Sequence, residues 1–439
     1  MGTQQPDLVS TKLQRIAELA RKFSAEPLLN VAHNIDVDWL RAAYAKVRKS
    51  SAPGVDGQTV QEYGRDLDEN LRTLEDRFKK GLYRAPPVKR VYIPKGDGKE
   101  QRPIGLPTVE DKILQRAVAM VLEAIYEQVF LDCSYGFRRG RSPHNAIDAL
   151  YRHLIDARGG WVIDVDIRRC FDELEHEQLR KILDLRVRDG VLRRAIGKWL
   201  NAGVLESGNI SYPEAGTPQG GVISPMLMNI FLHTVLDEWF EEQVKPRVAG
   251  AELVRFADDF VIVCRRREDA ERIMEVVGKR LGKHGLQLHP TKSRLVDFRR
   301  PDPKTGREPG TFNFLGFTFY WGTSRKGQRV IKQRTERGRK ARFVKKVGVV
   351  LKRRRHAPVK AQHQYLCLAV NGHINYYGRT GNIRAIYSVV EQVRRLWHKW
   401  LSRRNPHRPM TWERFVKITS SLPLPRPRIV HSAYGSSVS

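Results

Sequence analysis

The stretch LVRFADDFVIVC (253–264) sets two aspartates side by side between two apolar runs. Both flanks read as strands, with Leu253, Val254 and Phe256 on one side and Phe260, Val261, Ile262 and Val263 on the other. Only two or three residues remain for the turn, so the stretch is constrained to a tight hairpin with Asp258 and Asp259 at its tip. Aspartate suits a turn. Adjacent like charges beside apolar surface nevertheless repel one another and resist desolvation. A divalent cation would reverse that local cost. The polar-turn and metal readings both stand until a third carboxylate is found.

Length and charge bound the rest. A chain of 439 residues exceeds one compact core, so two or three domains are expected. The net charge of +31 is unevenly spread. Residues 301–439 carry 30 Lys and Arg against 5 Asp and Glu, a net of +25, which leaves +6 for residues 1–300. So basic a region implies a polyanionic partner, nucleic acid above all. No apolar run reaches 18 residues and the start MGTQQPDLVS has no apolar signal core, so neither a membrane role nor secretion is expected and the location reads as cytoplasmic. Cys133, Cys170, Cys264 and Cys367 are scattered without a C-x2-C pair, which argues against a disulfide framework or a zinc site and suits a reducing compartment.

Patterning divides the chain. Residues 37–80 read as helices interrupted by SSAPGVDG. Residues 88–107 read as a cation-bearing hairpin around Gly-Asp-Gly. The following segment reads as a helix capped by Thr108, with Ile113, Ala117 and Val121 on one face. WVIDVDIRRCFDEL begins as a strand, and two amphipathic helices are read in EHEQLRKILDLRV and PMLMNIFLHTVLDEWFEE. A further helix ends at Gly285, TFNFLGFTFYW reads as a strand pair, and the chain then reads as basic and mostly helical to about residue 404. The Pro-rich end reads as a loop or extended tail.

The third carboxylate lies in that first strand. Asp166 sits just inside it, Asp164 lies on the same strand face, and Asp172 follows at the turn, where it reads as a helix cap. A strand-borne Asp beside an Asp-Asp hairpin could hold two hard cations through oxygen. Two such ions, about 4 Å apart, clamp the reacting oxygens of a phosphoryl displacement, and polymerases are a known instance. Lys95 and Arg102 in the basic hairpin could neutralise a triphosphate.

RPIGLPTVEDKILQRAV, SYGFRRGRSPHNAI, DVDIRRCFDEL, GTPQGGVISPMLMNIFL, RFADDFVIVC, GLQLHPTKSRL and FNFLGFTF follow one another in the chain. Together they resemble the reverse transcriptases encoded by bacterial group II introns, over roughly residues 37–320. Downstream, residues 363–401 resemble that family's maturase (X) domain. The resemblance implies an α+β fold: a right-hand polymerase, with an antiparallel sheet in fingers and palm and an all-helical thumb. The N-terminal extension and fingers would span 1–150, the palm 151–325, the thumb/maturase domain 326–405 and a basic tail 406–439. Asp166, Asp258 and Asp259 would be catalytic and would hold two Mg2+ ions, with the Ile167 carbonyl assisting. Lys95, Arg102, Phe171, Gln219 and Lys292 would bind the nucleotide, Phe171 by stacking under the deoxyribose and excluding a 2′-OH. Leu315 and Gly316 would belong to the primer grip.

The partners implied are dNTPs, an RNA template with a DNA primer, the parent group II intron RNA, and a DNA target met as a ribonucleoprotein. For the RNA itself, Arg353, Arg354 and Arg355 read as phosphate contacts, and Tyr376, Tyr377 and Arg379 as a stacking and charge cluster; for at least one of the tyrosines core packing is an equal alternative. The longest family members end in a DNA-binding region and a nuclease module. Here about 35 residues follow the thumb without paired cysteines, so no intrinsic DNA endonuclease is expected and priming could come from nascent strands. Two other uses fit the same residues: a domesticated enzyme in defence or repair, or a splicing factor with little polymerase activity.

Overall fold

The computed structural model describes residues 8–95, 100–206, 208–212, 215–216, 220–302, 304–405 and 407–432. The chain separates into two compact units, Met1–Ala146 with Ile163–Leu295, and Ile147–Val162 with Val296–Ser439.

The first unit is built around the helix Val109–Tyr126. Thr108 caps it by accepting from the Asp111 backbone N–H at 3.2 Å, and Glu110 and Asp111 face the positive end of its dipole. The sequence pattern suggests one buried face, but nearly the whole helix is buried. Leu8–Lys22 and Val37–Ala45 pack against it, and Trp39 donates its indole N–H to the Ala117 carbonyl at 3.0 Å. Strands β1 (Val88–Lys95) and β2 (Glu100–Leu106) form the expected hairpin. Strand β3 (Trp161–Arg168) lies elsewhere; β4 (Val204–Glu206) and β5 (Asn209–Ser211) extend the hairpin into a sheet ordered β2-β1-β4-β5.

The second sheet carries the aspartates. Strands β6 (Glu252–Phe256), β7 (Asp259–Cys264) and β8 (Gln287–Leu288) join β3 in the order β6-β7-β3-β8, and β9 (Arg294–Asp297) also pairs with β3. Phe260 to Cys264 are all buried, as expected of an interior strand. The helix Ser224–Leu232 is buried along its length rather than amphipathic, and its continuation, His233–Glu238 and Phe240–Val244, is π-helical. Asp172 does not cap the next helix. That helix, His176–Asp184, starts after Glu175, which leaves Asp172 in the preceding turn.

In the second unit, β10 (Phe312–Phe314), β11 (Phe317–Thr323) and β12 (Arg329–Thr335) form an antiparallel sheet. The sequence reading anticipates only the first two; β12 buries Ile331, Gln333 and Thr335 on one face and pairs along the full length of β11. Helices Arg337–Arg353, Val359–Tyr377 and Ile383–Ser402 follow, with Val347, Leu366, Val370, Val389 and Trp397 in their shared core. A fourth helix, Trp412–Ser421, lies in the segment read as a tail. Its Phe415 is fully buried against Trp397, and Thr411 caps its start. The 312–335 sheet thus clusters with the helices, whereas the sequence division groups residues up to 325 with the palm.

Candidate active site

The register Phe256↔Asp259 leaves Ala257 and Asp258 as a two-residue connection between β6 and β7. Ala257 adopts φ 59°, a left-handed conformation that costs a non-glycine residue about 1 kcal/mol. Asp258 and Asp259 follow at the tip, both half-buried. Because β7 lies beside β3, the hairpin adjoins the strand that carries Asp166. Burial pushes the Asp258 carboxyl above the usual aspartate range, and the negative charge of Asp166 adds to the rise; its own backbone N–H, Arg102 and Arg255 work against it. The two carboxyls, 92 positions apart in sequence, therefore sense each other.

Asp166 is fixed from both sides of its backbone. Its carbonyl accepts from the His289 N–H at 2.8 Å and from the Ser293 hydroxyl at 3.2 Å. Its carboxylate takes the Lys292 ammonium at 3.0 Å. Asp164, two residues earlier, pairs with Arg294 at 3.1 Å. Ile167 is buried opposite Leu288.

Among the described residues, no three His, Cys, Asp or Glu side chains close into a ready metal cage. The donor set still suits hard cations: all-oxygen carboxylates, mutually repelling, one of them already drawing a cation to itself. Asp166, Asp258 and Asp259 are the carboxylates that would hold such a cation.

The surroundings gather other expected residues. Arg102 is exposed on β2, and its charge acts on both Asp258 and Asp172. Phe171 is half-buried in the turn after β3. Gly216 (φ 91°) presses on that turn, where a Cβ would come within 2.9 Å of the Phe171 carbonyl oxygen. Gly220 (φ 106°) lies against β2, where a Cβ would meet the Gly105 carbonyl at 2.6 Å. Only glycine permits either approach. The Gln115 side chain accepts from the Val222 and Ile223 N–H groups at 2.8 and 3.4 Å. Gln219 lies outside the described residues, as does the side chain of Lys95, whose backbone ends β1 opposite Glu100.

Sequence reasoning overlooked the support beneath the hairpin. Arg255 and Asp237 are fully buried as an ion pair, Asn229 is buried beside them, and Gly136 backs the turn. The available signal was a lone arginine inside an apolar strand.

In the second unit, Leu315 (φ 49°) and Gly316 (φ 81°) form the two-residue turn of the β10–β11 hairpin. The Tyr376 hydroxyl donates to the Leu315 carbonyl at 2.9 Å, and the Tyr377 hydroxyl abuts Gly316. Both tyrosine rings pack on Phe317 and both stay half-buried, the packing the sequence reading held open for at least one of them. Arg379 is fully buried and ion-paired with Asp148. Arg353 and Arg354 are exposed and Arg355 is half-buried at the end of their helix. No helix among the described residues is long and apolar enough to cross a membrane.

Comparison with known proteins gives the geometry its context. The family described as reverse transcriptase (RNA-dependent DNA polymerase) matches residues 93–319. Group II intron-encoded protein LtrA of Lactococcus lactis subsp. cremoris is 42% identical over 166 residues, 38% of this chain but only 27% of LtrA. Protein YkfC of Escherichia coli (strain K12) is 32% identical, covering 73% of this chain and 91% of YkfC. The uncharacterized 91 kDa protein in the cob intron of Schizosaccharomyces pombe is 33% identical over 52% of this chain and 29% of its own length. A strand-borne aspartate beside an Asp-Asp hairpin, inside a matched span of that kind, leads to one conclusion: the chain belongs to the reverse transcriptase family and is related to group II intron-encoded proteins.

Proposed function

We propose that this protein is an RNA-directed DNA polymerase that also binds a group II intron RNA, promoting its splicing and supporting its mobility as a ribonucleoprotein on a DNA target. The observation that carries the polymerase reading is Asp166 beside the Asp258–Asp259 hairpin, with Lys292 and Arg102 as adjacent cations. In this reading residues 1–150 act as fingers, 151–325 as palm and 326–405 as thumb and maturase domain, working in the cytoplasm.

The reaction joins the primer 3′ oxygen to the α-phosphorus of a dNTP while the bond from that phosphorus to the bridging oxygen of pyrophosphate breaks. Asp166, Asp258 and Asp259, with the Ile167 carbonyl, would hold two Mg2+ ions, whose charge would activate the hydroxyl and steady the triphosphate. Arg102 and Lys95 offset the negative charge of the triphosphate. Phe171 stacks under the sugar and leaves no room for a 2′-OH, while Gln219 lines the template and nucleotide pocket. Lys292 holds the Asp166 carboxylate until substrate arrives. Leu315 and Gly316, in a turn braced by two tyrosines, grip the primer.

The intron-binding part of the reading is supported by the relation to LtrA and by the exposed arginines of the second unit. Two assays test it: extension of a DNA primer on an RNA template with dNTPs, and binding of a structured group II intron RNA across a salt series. Affinity falling steeply with salt, with a shallower slope once Arg353, Arg354 and Arg355 are neutralised together, supports the clamp. An unchanged slope removes those three residues from it.

A further inference from the structure

The turn that presents the two aspartates is held by a buried charged network that the polymerase reading leaves without a role. Arg255 is fully buried in β6. Its Nε donates to Asp237 Oδ1 at 2.7 Å and its Nη2 to the other Asp237 oxygen. Its Nη1 donates to Asn229 Oδ1 at 3.0 Å and to the Ala257 carbonyl oxygen at 3.0 Å. Asn229 in turn donates from its amide to the Gly136 carbonyl at 2.6 Å. Gly136 lies so close that a Cβ there would fall 2.4 Å from the Ala257 nitrogen. The backbone of Arg255 is also held, its N–H donating to the Cys133 carbonyl at 2.8 Å and its carbonyl accepting from the Tyr135 N–H at 2.8 Å.

Stability does not account for this arrangement. A buried ion pair commonly gains little over well-packed apolar residues of the same volume, because desolvation consumes the Coulombic gain. Here the pair is kept, Asp237 is delivered by a π-helical turn, and Arg255 reaches the backbone oxygen of the left-handed Ala257. π-Helical turns recur at functional sites. The cost of φ 59° at Ala257 persists only where its surroundings over-determine the conformation, and Arg255 from one side and Gly136 from the other do so.

We propose that Arg255, anchored by Asp237 and Asn229, is a positioning residue that locks the Ala257 turn and thereby sets the direction in which Asp258 and Asp259 face. It touches neither substrate nor metal and acts through the turn. The proposal rests on the metal-binding reading of the hairpin, but its effect on the turn is measurable without metal or substrate.

The test uses the full-length protein and two variants, Arg255→Lys and the apolar double Arg255→Met with Asp237→Leu. Three quantities are measured: melting temperature, hydrogen exchange of the peptide spanning the hairpin tip in metal-free protein, and Mn2+ affinity by electron paramagnetic resonance. The double variant is expected to melt near the parent, to exchange faster at the tip, and to bind Mn2+ about tenfold more weakly, the usual cost of losing an outer partner of a metal ligand. Arg255→Lys keeps one bond to Asp237 but cannot span to Ala257, so faster tip exchange is expected there too. A stable double variant with parental tip exchange and parental Mn2+ binding overturns the proposal. Should the double variant fail to fold, Arg255→Lys decides alone, and parental tip exchange in it overturns the proposal equally. Faster tip exchange in a protein whose parent binds no Mn2+ would instead leave the turn-locking intact and sink the metal reading.

Discussion

Lys292 Nζ lies 3.0 Å from Asp166 Oδ2, so a cation already sits against the strand-borne carboxylate. Both side chains are substantially exposed, and an ion pair of that kind contributes about 0–1 kcal/mol to stability. Its value therefore lies with the site. Lys292→Ala is expected to leave the melting temperature unchanged while lowering the rate of primer extension at saturating dNTP by about tenfold or more, a barrier change of about 1.4 kcal/mol. A large drop in melting temperature with parental turnover would make the pair structural.

Replacing Asp258 and Asp259 together by Ala should abolish cDNA synthesis, because two of the three candidate ligands disappear. It should not unfold the first unit, since burial and the Asp166 charge already disfavour the ionised Asp258. RNA affinity should persist, because the most basic part of the chain is residues 301–439. Primer extension, thermal melting and RNA binding measured side by side would check this. Retained extension would remove the metal assignment, and lost RNA binding in a folded variant would show that catalysis and RNA binding share residues.

Phe171→Ala concerns sugar choice. Removing the ring at this half-buried position opens room for a 2′-OH, so the preference for dNTP over rNTP should fall by about tenfold or more, worth about 1.4 kcal/mol. Single-nucleotide incorporation with matched dNTP and rNTP would read it, and an unchanged ratio would release Phe171 from the gate role.

Asp111 supplies a pH signature in the interior. Burial raises its carboxyl from 3.8 to about 7, even though Trp199 donates to it at 3.1 Å. The folded state therefore holds this proton more tightly than the unfolded chain. The stability from this group is complete below about 3.8, declines as pH rises toward about 7 and is level beyond. Asp111→Asn keeps an acceptor for Trp199 and Tyr83 but cannot ionise. Its melting temperature relative to the parent should rise between pH 5 and pH 8. A difference constant across that window would show that Asp111 does not titrate there.

The elements that local chemistry governs were legible in the sequence. Apolar runs on either side of Asp258–Asp259 made the hairpin plain, and Thr108 and the acids after it marked the start of the central helix. Each of these depends on residues within a few positions of one another, which a linear reading contains.

Tertiary structure alone decided the rest, because it turned on partners distant in sequence. Only packing sets β3 beside β7 and lets Asp166 and Asp258 share a field. Only folding buries Arg379 and brings it to Asp148, 231 positions earlier in the second unit. Folding likewise brings Phe317 against the rings of Tyr376 and Tyr377. The helix Trp412–Ser421 reads as tail because its burial depends on one residue, Phe415, finding Trp397. Arg255 looks anomalous in an apolar strand because its two carboxylate and amide partners come from the 224–244 helical segment. A buried charge is tolerated only where such partners arrive, and the chain shows them together only when folded.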